Sequence, residues 1–212
     1  MKRFLITIAV CFSVITSYGQ TEKRNLIGTH FTLGDGEFLT GMEGSASYDT
    51  KYYYGFGLDY SRMLSKRLDL CSGFEYQYSK MTGTPAPGVD MAPFNENLKL
   101  ATIPVMLKYH FWKYFYVNGG LLFNVAARIG SEHWVGGPTK NLNMFLGCGI
   151  GAGFRYEFKS GFMLTVNPSI RCNGLENAEK TESFLGFLKV PGKIDGYQFF
   201  QSGVSLGIGY KF

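Results

Sequence analysis

Ser131, Glu132 and His133 stand side by side in the stretch GSEHWVGG, and a hydroxyl, a carboxylate and an imidazole are the parts from which a hydrolytic site is built. Consecutive residues point apart on a strand or a loop, so these three cannot form the hydrogen-bonded chain of nucleophile, base and orienting group. His30 and His110 stand singly at polar positions of apolar stretches. No metal-ligand spacing, phosphate loop or nucleophile motif occurs, so no catalytic, cofactor-binding or metal-binding residue is assigned and the chain reads as a non-enzyme. What remains is a set of charges: Asp59, Glu75, Lys108, Arg128, Arg155, Glu157, Arg171 and Lys211. Each takes a small-or-polar position in a stretch that alternates with large apolar residues. Gathered in one confined space, such groups must pair or stay hydrated, because an isolated buried ion is costly. They predict either a salt-bridged plug or, as rings of Arg and Lys, a narrow passage that weakly prefers anions.

The elements that hold these charges are strands. Aromatic residues make up 17% of the chain, as much as all charged residues together, and there are 28 glycines. Aromatic residues favour strands and glycine weakens helices. The closing stretch SLGIGYKF sets Val204, Leu206, Ile208, Tyr210 and Phe212 against Gly203, Ser205, Gly207, Gly209 and Lys211, a period of two with a different environment on each face. Seven further stretches do the same. In the first, Ile27, Phe31 and Leu33 oppose Gly28, His30 and Thr32; in the sixth, Met144, Leu146, Ile150, Phe154 and Tyr156 oppose Gly147, Gly149, Gly151, Gly153, Arg155 and Glu157. Pro104 sits inside the fourth, where its missing N–H predicts a bulge or a local gap.

The connections alternate too. SKR, WKY and KSG are minimal, whereas the other four, beginning near Gly34, Met81, Ile129 and Gly174, are long and polar. Each minimal turn joins two large apolar residues four apart, Leu64 with Leu68, Phe111 with Phe115 and Phe158 with Phe162, so three turns give one facing. A barrel of eight strands has an interior only wide enough for ordinary side chains, so the rings cannot all point inward. Rings facing lipid, with glycines and charges facing the lumen, satisfy both volume and charge. The expected fold is therefore all-β: an eight-stranded antiparallel up-and-down transmembrane β-barrel, monomeric, with short turns and both termini on the periplasmic side.

Counting through KSG places Gly147, Gly149, Gly151 and Gly153 opposite Asn173, Arg171, Ser169 and Asn167. The glycine row either makes room for Arg171 and residues reaching across the lumen or lets the sheet coil tightly, and both can hold. The same count faces Cys148 with Cys172 on the lipid side, as two small apolar residues or as a disulfide.

The first residues, MKRFLITIAVCFSVITSYGQ, carry the basic start, apolar run and small residues of a secretory signal peptide, with cleavage expected after Gly19 and a barrel domain over 20–212. Val10 before Cys11 does not suit lipidation. The apolar run is too short to span a bilayer as a helix, which takes about 20 residues. Cleavage leaves 19 basic against 16 acidic side chains, too mild and too dispersed a balance for nucleic acid. It also leaves three cysteines, Cys71, Cys148 and Cys172, an odd number that argues against a disulfide framework.

A terminal aromatic on an alternating last strand resembles the assembly signal of bacterial outer-membrane proteins, with Tyr210 and Phe212 in its places. The runs LATIPVMLKYHFWKYFYVNGGLLFNV, GCGIGAGFRYEF, LTVNPSIRCNGL and SLGIGYKF together resemble the PorT-like outer-membrane β-barrel domain family and small OmpA/OmpX-like barrels, over about Leu98 to Phe212, with Asn25 to Ser79 similar in pattern. That resemblance implies an outer-membrane location and contact with the barrel-assembly machinery through the last strand. It implies no catalytic residues, since most members have no known activity. Function is then expected in the loops, which on a rigid barrel are where binding resides. TGTPAPGVDMAPFNEN offers Met91 and Phe94, and LENAEKTESFLGFLKVPGKIDG offers Phe184, Leu185, Phe187 and Leu188 to an extracellular partner, unless Glu176 to Leu188 forms a short interfacial helix. The expected roles are a membrane scaffold or surface-interaction protein, with aid to secretion or adhesion among the tasks open to it, then a small-solute channel, then a lipid-modifying enzyme.

Overall fold

The computed structural model describes residues 24–40, 47–85, 90, 92–131, 140–142, 144–175 and 197–212. The alternating stretches form eight long strands: β1 (Asn25–Thr40), β2 (Ser47–Ser65), β3 (Leu68–Thr84), β4 (Phe94–His110), β5 (Phe115–Ser131), β7 (Leu146–Glu157), β8 (Phe162–Asn173) and β9 (Tyr197–Lys211). A two-residue strand, β6 (Lys140–Asn141), adds to the loop end of β5. Every neighbouring pair is antiparallel, and β1 pairs with both β2 and β9, so the sheet closes into a ring with no free edge. No helix among the described residues is long and apolar enough to cross a membrane.

Facing follows the alternation. Ile27, Phe56, Phe74, Leu107, Leu121, Ile150, Leu164 and Leu206 are exposed on the outside, while the residues between them turn into the barrel. The three minimal turns keep their expected places. At KSG, Gly161 takes a φ of 91° and donates its N–H to the Phe158 carbonyl at 3.0 Å, and the Phe158 N–H reaches the Phe162 carbonyl at 2.8 Å. That turn sets the register that counting predicts: Gly149 opposite Arg171, Gly151 opposite Ser169 and Cys148 opposite Cys172.

Pro104 leaves a gap and not a bulge. The β3–β4 ladder passes from Ser72↔Val105 to Glu75↔Thr102 without a change of register. Pro168 does the same between Gly151↔Ser169 and Phe154↔Val166, for the same want of an N–H.

Three expectations need correction. Met144, set with the outward row of the sixth stretch, turns inward and is buried, because it precedes β7 and does not share that strand's alternation. The strands run further toward the long loops than their apolar stretches do: β1 continues past Gly34 to Thr40, and β4 begins at Phe94, so part of each supposed loop is paired strand. More consequentially, the β4–β5 register shifts between Ala101↔Ala126 and Thr102↔Asn124, which leaves Val125 as one extra residue. Beyond it, Ala127 and Ile129 turn inward and Arg128 turns outward, exposed beside Lys99. Arg128 is therefore not a lumen residue. The signal peptide, Met91, Glu132 and His133, and Glu176 to Leu188 lie outside the described residues.

Cys71, Cys148 and Cys172 are free thiols. Alkylation of a denatured chain spanning residues 20–212, followed by intact-mass measurement, should therefore show all three modified. A single modification, at Cys71, would mean that Cys148 and Cys172 are bonded.

Candidate functional site: the barrel lumen

At the short-turn mouth, β3, β4 and β7 each place a charge on an inward rung. Asp69 Oδ2 accepts from His110 Nε2 at 2.7 Å and lies 3.4 Å from Arg155 Nη1. The His110 ring leans on Tyr116 with centroids 5.7 Å apart, and Lys108 Nζ sits 4.7 Å from the centre of the Tyr116 ring. Lys211 on β9 reaches Glu157 Oε1 at 3.1 Å, a half-open pair at the rim.

The second layer is buried. Glu75, 1% exposed, meets Arg171 Nη1 through Oε2 at 2.6 Å, a charge-assisted bond from β3 across the lumen to β8. Its other oxygen accepts from Gln77 Nε2 at 3.0 Å and faces His30 Nε2 at 3.6 Å. His30 Nδ1 is 2.6 Å from Asp59 Oδ2. Neither His30 nor His110 has a Ser or Cys hydroxyl or thiol as hydrogen-bond partner among the described residues; Ser61 Oγ donates instead to Cys71 Sγ at 3.0 Å.

Glycines opposite these groups leave them space. A Cβ on Gly149 would lie 3.2 Å from Arg171 Cγ, and one on Gly153 would run into the Tyr116 ring that crosses in front of it. The room-making role of the glycine row is thus visible residue by residue.

Above the charges runs a chain of neutral groups. Thr102 Oγ1 donates to Asn124 Oδ1 at 2.7 Å, and Asn124 Nδ2 donates to Asn173 Oδ1 at 3.1 Å. Asn173 Nδ2 passes the chain to Gln201 Oε1 at 3.0 Å, and Gln201 Nε2 passes it to Gln77 Oε1 at 2.7 Å. Through Gln77 it joins Glu75 and Arg171. One continuous run of hydrogen bonds therefore ties β4, β5, β8, β9 and β3, each donor polarising the next.

Nearest the long loops, the inward side chains become apolar. Phe38, Met81, Leu98, Leu100, Ala127, Ile129, Leu142, Met144 and Phe199 form one buried cluster across the lumen. The charges below it border a cavity of about 110 Å³ lined by His30, Asp59, Glu75, Lys108, Tyr116 and Arg171. That volume takes several waters and no more than a small solute.

Of the eight charges assigned to the lumen from sequence, the structure brings Glu75 to Arg171, Asp59 to His30, Arg155 to Asp69, and Lys211 to Glu157; Lys108 lies over Tyr116, and Arg128 is outside. Asp69, a partner of both His110 and Arg155, is not among those eight, although its place between Leu68 and Leu70 marks it as an inward position. The apolar cluster was missed altogether. Its signal was Leu98 and Leu100, which keep the parity of inward Thr102.

No protein-family model and no curated protein sequence matches this chain. Among solved structures, the outer membrane protein OprG from Pseudomonas aeruginosa is 13% identical over 89% of this chain and 96% of its own, with a TM-score of 0.49. Neisserial surface protein A is 12% identical over 88% and 97%, at 0.47, and Ail, the attachment invasion locus protein of Yersinia pestis, is 14% identical over 90% and 100%, at 0.45. The closed ring of antiparallel strands in this chain is itself the finding: an all-β barrel.

Proposed function

We propose that this chain is a bacterial outer-membrane β-barrel of the PorT-like kind, a monomeric scaffold that carries its long loops outward and conducts nothing through its lumen. After loss of residues 1–19, both termini face the periplasm, where the short turns lie. Tyr210 and Phe212 on the last strand form the signal by which the assembly machinery takes up the barrel. The lumen charges serve as a rigid plug, and binding falls to the loops.

The observation that carries this proposal is a pairing of two faces. The outside is a band of exposed rings and aliphatics, which in water would be an association surface far larger than a monomer tolerates. The inside is closed by a network of paired charges and amides and then by the apolar cluster at the loop end. An ion entering from the loop side would have to cross Leu98, Leu100, Met144 and Phe199 without water, and a dry constriction of that kind blocks conduction. In a planar bilayer, the refolded mature protein should give no single-channel steps, and Arg171→Ala should stay as silent because the apolar cluster is untouched. Stable steps in the native protein that lose anion preference in Arg171→Ala would instead make it a channel with Arg171 in its filter.

A further inference from the structure

The register shift that turns Arg128 outward places it directly opposite Lys99, and both are exposed on the barrel's outer face. Lys99 is also opposite Tyr78 on β3, and Lys80 follows two residues on, on the same face. None of the three side chains has a hydrogen bond or ion pair among the described residues. Like charges directly opposite on a sheet are destabilising unless something of the other sign lies between them. The described carboxylates at this end stand on other strands or the other face: Asp35 and Glu37 lie on β1, Asp49 on β2 stands opposite Thr82 and so diagonal to Lys80, and Glu96 on β4 pairs with inward-facing Met81. Among the described residues, Lys99 and Arg128 on β4 and β5 have no carboxylate on the outer face of their own strands.

Depth completes the case. On β4 the outward row runs Tyr109, Leu107, Val105, Ile103 and Ala101 before it reaches Lys99. At about 3.3 Å per residue and a tilt of about 40°, that run is close to the ~25 Å apolar band of an outer-membrane barrel. Lys99 and Arg128 therefore stand where the band ends, at the level of lipid headgroups.

We infer that Lys80, Lys99 and Arg128 form a binding site for the phosphate of an outer-leaflet lipid headgroup, with the acyl chains lying on the apolar wall beneath. The site rests on the membrane placement proposed above. Arg128 offers a planar fork to two phosphate oxygens, and the two lysines act as point charges on either side.

The test uses mature protein in phosphatidylcholine vesicles doped with diphosphorylated lipid A, and native mass spectrometry after detergent extraction to count lipid A retained per barrel. Lys99→Gln/Arg128→Gln should weaken retention by roughly thirtyfold, the loss expected for two surface cations at their usual contribution to anionic lipid binding. Lys66→Gln/Lys113→Gln, which removes the same charge from exposed positions at the other rim, should leave it unchanged. Equal retention by the native and Lys99→Gln/Arg128→Gln barrels would overturn the site, and so would equal losses in both double variants. Equal retention of dephosphorylated lipid A would do the same, and displacement of the lipid by millimolar inorganic phosphate would make this a general anion site. Insertion into vesicles of phosphatidylcholine alone, scored by the heat-dependent gel shift of a folded barrel, checks the membrane placement separately; failure there sinks that placement and the site with it.

Discussion

Arg171→Ala should lower the unfolding free energy of the barrel by about 3 kcal/mol, near the low end of what breaking a buried ion pair costs. The loss comes less from the attraction removed than from the partner left behind. Glu75 is 1% exposed and sits at the junction of the amide chain, so without the guanidinium its carboxylate is stranded among groups already committed to one another. The adjoining cavity of about 110 Å³ keeps the loss from being larger, since water there can solvate the orphaned oxygen. Two comparisons make the prediction specific. Glu75→Gln should be damaging in the reverse sense, leaving Arg171 buried without its counter-charge. Glu75→Gln/Arg171→Ala, which removes both charges, should cost much less than the sum of the two single variants, so that the double-mutant cycle shows strong coupling. Urea unfolding in vesicles reads all three. Additive losses in the double variant would show that the pair is not a unit, and an unshifted midpoint in Arg171→Ala would show that the plug does not stabilise the barrel.

Why was the Glu75–Arg171 pair not legible when the facing of both residues was? Counting through a minimal turn fixes neighbours on adjoining strands, which is why Gly149 opposite Arg171 and Cys148 opposite Cys172 could be read directly. Glu75 and Arg171 lie on β3 and β8, on opposite walls. Which rung faces which across the lumen depends on the stagger accumulated around the closed ring, and no local pattern carries that quantity. Arg128 failed for a different reason. A single inserted residue inverts every side chain beyond it, and the stretch Val125, Ala126, Ala127 is acceptable on either face, so nothing in the composition marks the bulge. The apolar cluster is not legible because Leu98, Leu100 and Ile129 lie beyond the outer band, among polar residues that read as loop. In the structure the strands outlast the membrane-like band, and their inward rungs there need an apolar filling.

Leu58→Arg should cost about 2–4 kcal/mol in vesicles, because an arginine near mid-depth on the lipid face must leave its charge in hydrocarbon or distort the bilayer. Leu58 is exposed on β2, opposite Phe74, and stands six residues above Leu64 at the short-turn rim. Leu64→Arg puts the same charge where headgroups and water reach it, and should cost only about 0–1 kcal/mol. Leu58→Ala subtracts the loss of packing against Phe74. The contrast discriminates sharply between solvents: on the outside of a water-soluble barrel, both arginine substitutions would fall at exposed positions and change stability by less than about 0.5 kcal/mol, or improve solubility. Urea titrations followed by tryptophan fluorescence, with Trp112 at the rim as a reporter, give the three values. A steep difference between the two depths places lipid against the outer face. Equal, small effects would return the apolar band to water, and the oligomer that covers it there would then have to be found.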